Sequence, residues 1–153
     1  MKAEHVNAFL IATTKVIAAM ASLKVIAAKP YLKKDDIATG DVSSIVGLTG
    51  TPTGSFSISF DKESILRITS QIFNEEITTL DSDVAEAAGE LANMISGQAR
   101  KMMEEKGDYC VGAIPTVVAG EGHSLIHITD GPKIAVPFTL DNAKITLEVC
   151  FEE

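Results

Sequence analysis

The chain has 153 residues, of which 46% are apolar and 22% are charged, and its formal net charge is −8. This length suits one domain with a real core, and the composition argues against disorder. An acidic chain without clustered lysine and arginine is a poor ligand for nucleic acids and anionic membranes, so neither a nucleic-acid partner nor membrane insertion is expected.

A helix is predicted over residues 4–21, because Val6, Leu10, Ile17 and Ala21 form one apolar stripe at helical spacing. Polar residues at 13–15 interrupt the apolar run. The apolar segment of a signal peptide or a membrane span has no such interruption. The segment is therefore expected to be an amphipathic helix of the domain.

The next 40 residues predict strands. Phe and Ile alternate with Ser over 55–60, which indicates a sheet with one dry face and one hydroxyl face. The Gly- and Pro-containing turn at 50–54 makes this strand the second arm of a hairpin. Strands are predicted at 23–29, 42–49 and 55–60, with a polar connector over 31–40.

The second half predicts helices and further strands. A short helix is expected from Asp61 or Lys62 to Phe73, and the longest helix from 83 to 106, with Asp83 and Glu86 as a capping box. Gly107 ends it. Four runs are expected to form an antiparallel meander, at 108–119, 123–129, 133–139 and 143–151.

These elements predict a single α+β domain over residues 1–153. A mainly antiparallel sheet is expected to pack against two long helices. The order of helices and strands is similar in the two halves, which raises the suspicion of an internal repeat.

The long helix carries the candidate site. Its outer face is predicted to hold Glu86, Glu90, Asn93, Gly97 and Arg100 or Lys101, so that Glu90 and Asn93 lie about one turn apart. Polar residues on an outer face are ordinary, and Glu-x-x-Asn alone is weak. Gly89 and Gly97 each cost about 1 kcal/mol in a helix interior. They allow close approach of either an internal strand or a partner protein.

Residues 83–99 resemble the signature helix of the CheC/CheX/FliY family of chemotaxis phosphatases, most closely CheX. The resembling core is Gly-Glu-Leu-Ala-Asn-Met-Ile-Ser-Gly at 89–97. Residues 5–13 and 29–32 also resemble CheX-type chains, and the length and element order match over nearly the whole chain.

The resemblance implies a CheC-like fold and an enzyme that hydrolyses the aspartyl phosphate of a CheY-type response regulator. Asn93 would orient the attacking water, and Glu90 would dock on the regulator's active-site lysine. It also implies a cytoplasmic homodimer with no cofactor of its own, since the Mg²⁺ would belong to the regulator. The alternative is a non-catalytic adaptor, or a flagellar-switch-like module, that docks on a response regulator.

Three other sets of residues could form sites: a second Glu-x-x-Asn, two histidines and two cysteines. Glu4 and Asn7 repeat the Glu-x-x-Asn spacing, either by coincidence or as a decayed second site. His123 and His127 lie in a predicted strand, where they would be about 13 Å apart, too far for a zinc pair, so a surface role is expected. Cys110 and Cys150 lie in apolar runs, as expected for reduced, packed thiols in a cytosolic protein.

Overall fold

A computed structural model describes residues 3–152. Within these residues the chain forms three helices and eight strands, which together make a single α+β domain. In chain order the elements are α1 (Ala3–Ala21), β1 (Ile26–Ala27), β2 (Tyr31–Lys33), β3 (Val42–Thr51), β4 (Gly54–Phe60), α2 (Lys62–Phe73), α3 (Ser82–Glu104), β5 (Tyr109–Gly112), β6 (Thr116–Ala119), β7 (Lys133–Leu140) and β8 (Ala143–Phe151).

The strands form one antiparallel sheet with the order β1-β7-β8-β4-β3-β5, in which β2 also pairs with β7 and β6 also pairs with β3. Two hairpins, β3–β4 and β7–β8, meet at the central β4–β8 pair. In each half a long helix is followed by two short strands that border one outer side, and then by a hairpin. This order supports the suspected internal repeat, with α2 as the additional element.

Several predicted strands differ from the observed ones. Residues 123–129 are not a strand, and the four C-terminal runs are not a meander, because β8 returns to the sheet centre beside β4. The predicted run 108–119 is two strands, and 23–29 contributes only Ile26–Ala27. The predicted connector contains β2, since Pro30 lacks only its own N–H and leaves the following residues free to pair with β7.

The helices cover one face of the sheet. The core between them contains the alternating Phe56, Ile58 and Phe60 of β4 and the inward residues of α1 and α3. Helix α1 packs against α3, α2 and β8, so it belongs to the domain as predicted. No helix within residues 3–152 is both long enough and apolar enough to cross a bilayer.

The opposite face carries the predicted hydroxyls, but they are buried. Ser55, Ser57 and Ser59 are almost fully inaccessible. The irregular segment 120–131 lies over this face, where Leu125 and His127 are buried and the backbone N–H of Leu125 donates to the Asp36 carbonyl. We call this covered surface the far face of the sheet.

The two cysteines lie on opposite faces of the sheet and are unpaired, as expected. Cys110 belongs to the helix-side core, whereas the Cys150 thiol lies 3.3 Å from the Gly131 carbonyl on the far face. Burial raises the pKa of the Cys110 thiol. The thiol is therefore a weak nucleophile, which fits a packing role.

Candidate functional site

The N-cap of helix α3 lies two residues before the predicted one. Asp81 is the N-cap, and its Oδ1 accepts hydrogen bonds from the backbone N–H groups of Asp83 and Val84 at 3.0 and 3.2 Å. The predicted capping box of Asp83 and Glu86 is therefore wrong. The helix ends at Glu104, and Gly107, with φ +94°, takes the backbone conformation that reverses the chain.

Contacts with the sheet fix the orientation of α3. The Ser44 hydroxyl of β3 donates to the Ala88 carbonyl at 2.8 Å. Near the other end, Ser96 packs so closely on β5 that a Cβ at Gly112 would lie 2.7 Å from its hydroxyl oxygen. The helix therefore presents a fixed outer face.

The outer face of α3 largely matches the prediction. Glu86, Glu90, Asn93 and Gly97 are exposed. Arg100 is not part of this face, because it is half-buried and its Nε donates to the Ser96 hydroxyl at 3.1 Å. The structure thus brings Glu90 and Asn93 together on one exposed face, about one helical turn apart.

The two helix glycines have different surroundings. A Cβ at Gly89 would lie 3.3 Å from Cγ2 of Val117 in β6, so this glycine serves internal packing. A Cβ at Gly97 would meet nothing within 4 Å among the described residues. Internal packing therefore does not explain Gly97, which leaves a bare patch of helix one turn beyond Asn93.

A cavity of about 220 Å³ adjoins Glu90, and we call it the three-helix pocket. It lies between the last turn of α1, the end of α2 and the first half of α3. Its lining comprises Met20, Ile72, Phe73, Glu86, Ala87, Glu90 and Leu91. The sequence did not predict this pocket, because its apolar floor comes from two helices that only the tertiary fold brings to Glu90.

The internal repeat shows which residues of α1 correspond to Glu90 and Asn93, and therefore whether Glu4 and Asn7 are a second copy of that pair. Residues 3–13 of α1 and 82–92 of α3 have the same order of buried, half-buried and exposed positions. In this register Ile11 and Thr14 of α1 correspond to Glu90 and Asn93 of α3. Glu4 and Asn7 correspond to Asp83 and Glu86, two turns earlier, so they are not the repeat's copy of the Glu90–Asn93 pair.

Glu4 belongs to a different cluster. Its carboxylate and the side chains of His5 and Asp108 offer ligand atoms that all lie within 4.8 Å of one another. His5 Nε2 and Asp108 Oδ2 are hydrogen bonded to each other at 2.7 Å. Met103, which lines the adjoining cavity, is 13 residues beyond Glu90 on α3, or about 20 Å along the helix. This cluster is therefore separate from the Glu90–Asn93 face.

The two C-terminal histidines serve the fold. His127 is buried, and its ring nitrogens lie 2.7 Å from Ser55 Oγ and 3.3 Å from Glu148 Oε1, so the expected surface role is wrong for it. The side chain points inward because segment 120–131 covers the far face. His123 is half-buried and hydrogen bonded to Ser43 Oγ at 2.7 Å.

Comparison with known proteins identifies the family. The family described as "Chemotaxis phosphatase CheX" matches residues 42–139, which include the whole of α3 and most of the sheet. The chain belongs to the CheX family. The predicted resemblance is therefore confirmed, and the matched residues include the helix that holds Glu90 and Asn93.

Three relatives show how far the similarity to CheX extends. The CheY-P phosphatase CheX of Thermotoga maritima is 29% identical over 121 residues, 78% of each chain. A CheC-like superfamily protein from Shewanella sp. PV-4 is 37% identical over the full length of both chains, with a TM-score of 0.93. The CheX of a CheX–CheY–BeF₃–Mg²⁺ complex from Borrelia burgdorferi is 29% identical, with a TM-score of 0.84 over 97% of this chain and 98% of that one. The predicted CheC-like fold is confirmed.

Proposed function

We propose that this chain is a phosphatase that hydrolyses the aspartyl phosphate of a CheY-type response regulator. The observation that carries the proposal is the exposure of Glu90 and Asn93 on one face of the helix at the centre of the family match. The Thermotoga relative is a CheY-P phosphatase, and the Borrelia relative forms a complex with CheY.

Asn93 is the residue that positions the water. Hydrolysis requires a water molecule in line with the bond between phosphorus and the aspartyl oxygen, and catalysis of phosphoryl transfer is mostly positioning and charge stabilisation. The Asn93 amide offers an acceptor oxygen and two donor protons, and it does not titrate. The water adds to phosphorus, the bond to the aspartyl oxygen breaks, and inorganic phosphate and the free carboxylate are released.

Glu90 is the docking residue. Its exposed carboxylate lies one turn from Asn93, where an ion pair with the regulator's active-site lysine would orient Asn93 over the phosphate. The Mg²⁺ belongs to the regulator, and the chain supplies no cofactor of its own. One carboxylate and one amide pointing outward do not make a metal cage.

Gly97 fits the same interface. A glycine in a helix interior lowers helix stability by about 1 kcal/mol relative to alanine. Internal packing does not require a glycine at position 97. A bare backbone beside Asn93 instead lets a loop of the regulator approach α3 closely. On this proposal, Gly89 allows the close approach of β6 inside the domain, and Gly97 allows the close approach of the partner.

The decisive experiment is the decay rate of phosphorylated regulator with and without this protein, measured for each response regulator of the source genome. A phosphatase is expected to accelerate decay of its cognate regulator at substoichiometric concentrations, because each molecule turns over many times. An adaptor would bind a regulator and leave the decay rate of its phosphate unchanged. That result would contradict the phosphatase proposal and favour a non-catalytic binding module.

We further infer that the chain acts as a cytoplasmic homodimer. Free, buried thiols suit a reducing compartment. Strand β5 is an outer strand of the sheet, and Tyr109, Val111 and the nearby Ile114 are exposed there, which favours pairing with a second copy.

Sedimentation of the wild-type protein at micromolar concentration should give a dimer, and Val111→Lys should shift the protein to monomer. A monomeric wild-type protein would exclude this interface.

A further inference from the structure

We propose that the three-helix pocket is a second recognition site for the response regulator. It would take one apolar side chain that the regulator carries next to a lysine or arginine. This inference rests on the proposed function, because it assigns the pocket to the same partner as Glu90 and Asn93. It adds a contact that anchors the regulator beside the reacting groups.

The floor of the pocket suits one apolar side chain. Met20 of α1 and Ile72 and Phe73 of α2 supply its apolar surface. Cavities of about 150 Å³ admit benzene, so a pocket of about 220 Å³ has room for one aliphatic or aromatic side chain. The thioether of Met20 is flexible and adapts to the shape of a bound group.

The rim of the pocket sets the charge of its occupant. Glu86 and Glu90 line it, and its lining contains no lysine or arginine. Residues 68–99 as a whole hold six carboxylates and no basic residue. A regulator surface with a cation beside the inserted group would complement this rim, whereas an acidic surface would be repelled.

The repeat-related groove at the other end of the helix pair provides an internal comparison. There Asn7, Ala8 and Ile11 take the places of Glu86, Ala87 and Glu90. The lining of that groove includes the carboxylates of Glu4 and Asp108 together with Lys106 and His5, and no residue of α2. The three-helix pocket differs from it by its α2 floor and by two carboxylates that have no basic residue beside them in the lining.

The first test compares two exposed apolar side chains with nearly equal accessibility. Phe73 is 41% exposed and Ile11 is 40% exposed, but only Phe73 lines the three-helix pocket. Phe73→Ala is expected to weaken binding of the regulator in its BeF₃–Mg²⁺ form about tenfold, with kcat nearly unchanged, because the pocket anchors the regulator and does not touch the phosphate. Ile11→Ala should bind like the wild type. Equal affinity for the two variants would overturn the proposal.

The second test reverses a rim charge on a surface position, where folding is not at stake. Glu86→Lys is expected to raise KM about tenfold, and the effect should shrink as salt is added. Glu104→Lys, the same change at an exposed position on the same helix, should leave KM unchanged. If the wild-type protein fails to accelerate regulator decay, the proposed function fails. If it accelerates decay and Glu86→Lys leaves KM unaltered, only the pocket assignment fails.

Discussion

Asn93→Ala is expected to lower kcat for regulator dephosphorylation about 100- to 1,000-fold, the range seen when one preorganised polar group is removed from an active site. The amide would no longer hold the water in line with the scissile bond. Because Asn93 is exposed and alanine is the better helix former, the free energy of unfolding should stay equal or rise slightly. Single-turnover decay of the phosphorylated regulator and urea denaturation measure the two effects.

Two further variants separate chemistry from docking at the same face. Glu90→Ala is expected to raise KM more than it lowers kcat, since an ion pair with the regulator's lysine acts mainly on binding. Gln98→Ala removes another exposed amide from α3 and should retain wild-type activity, because it is not on the Glu90–Asn93 stripe. A wild-type kcat for Asn93→Ala would show that the water is held elsewhere.

The site helix could be predicted because its determinants are local. A 3.6-residue period over α3 places Glu90 and Asn93 side by side, whatever the rest of the chain does. The errors at its ends are small for the same reason. Aspartate is a favourable N-cap residue at position 81 or 83, so the residue type does not distinguish the two. The backbone conformation decides that the Asp81 carboxylate accepts the hydrogen bonds of the first N–H groups.

The surroundings of the site could not be predicted, because they depend on contacts between distant segments. The three-helix pocket joins Met20, Ile72 and Glu90, which are separated by many residues in the chain. Likewise, the alternation of Leu125 and His127 with exposed residues imitates a strand. The alternation arises because segment 120–131 lies flat on the far face and turns these two side chains toward it. Periodicity reports which residues are buried, but not what covers them.

The far face of the sheet holds a buried pair of charged side chains, and we expect a large loss of stability when one of the two is removed. The Glu148 carboxylate is fully buried in β8, with Lys33 Nζ 3.2 Å from Oε2 and His127 Nε2 3.3 Å from Oε1. The Lys33 ammonium is also buried and donates to the Ile37 carbonyl at 2.6 Å. Each charge is tolerated in the interior because the other compensates it.

Lys33→Met is therefore expected to lower the free energy of unfolding by about 3–5 kcal/mol, because it removes the cation and leaves a buried carboxylate without its charge partner. Urea denaturation, followed by far-UV circular dichroism, measures the loss. Adding Glu148→Leu to this variant should recover most of it, since replacing both partners with apolar groups removes the unpaired charge.

Lys133→Met is the matched control, because Lys133 is paired with Lys33 in the β2–β7 register. Lys133 donates to the exposed Asp36, and this hydrogen bond holds the pKa of the Asp36 carboxyl below its ordinary value. Because Asp36 is solvated, Lys133→Met is expected to lower the free energy of unfolding much less than Lys33→Met does. Equal losses for the two lysine variants would mean that burial of Glu148 is not what makes Lys33 necessary. A large gap between them would show that the far face depends on charge compensation, remote from the helix face that carries Asn93.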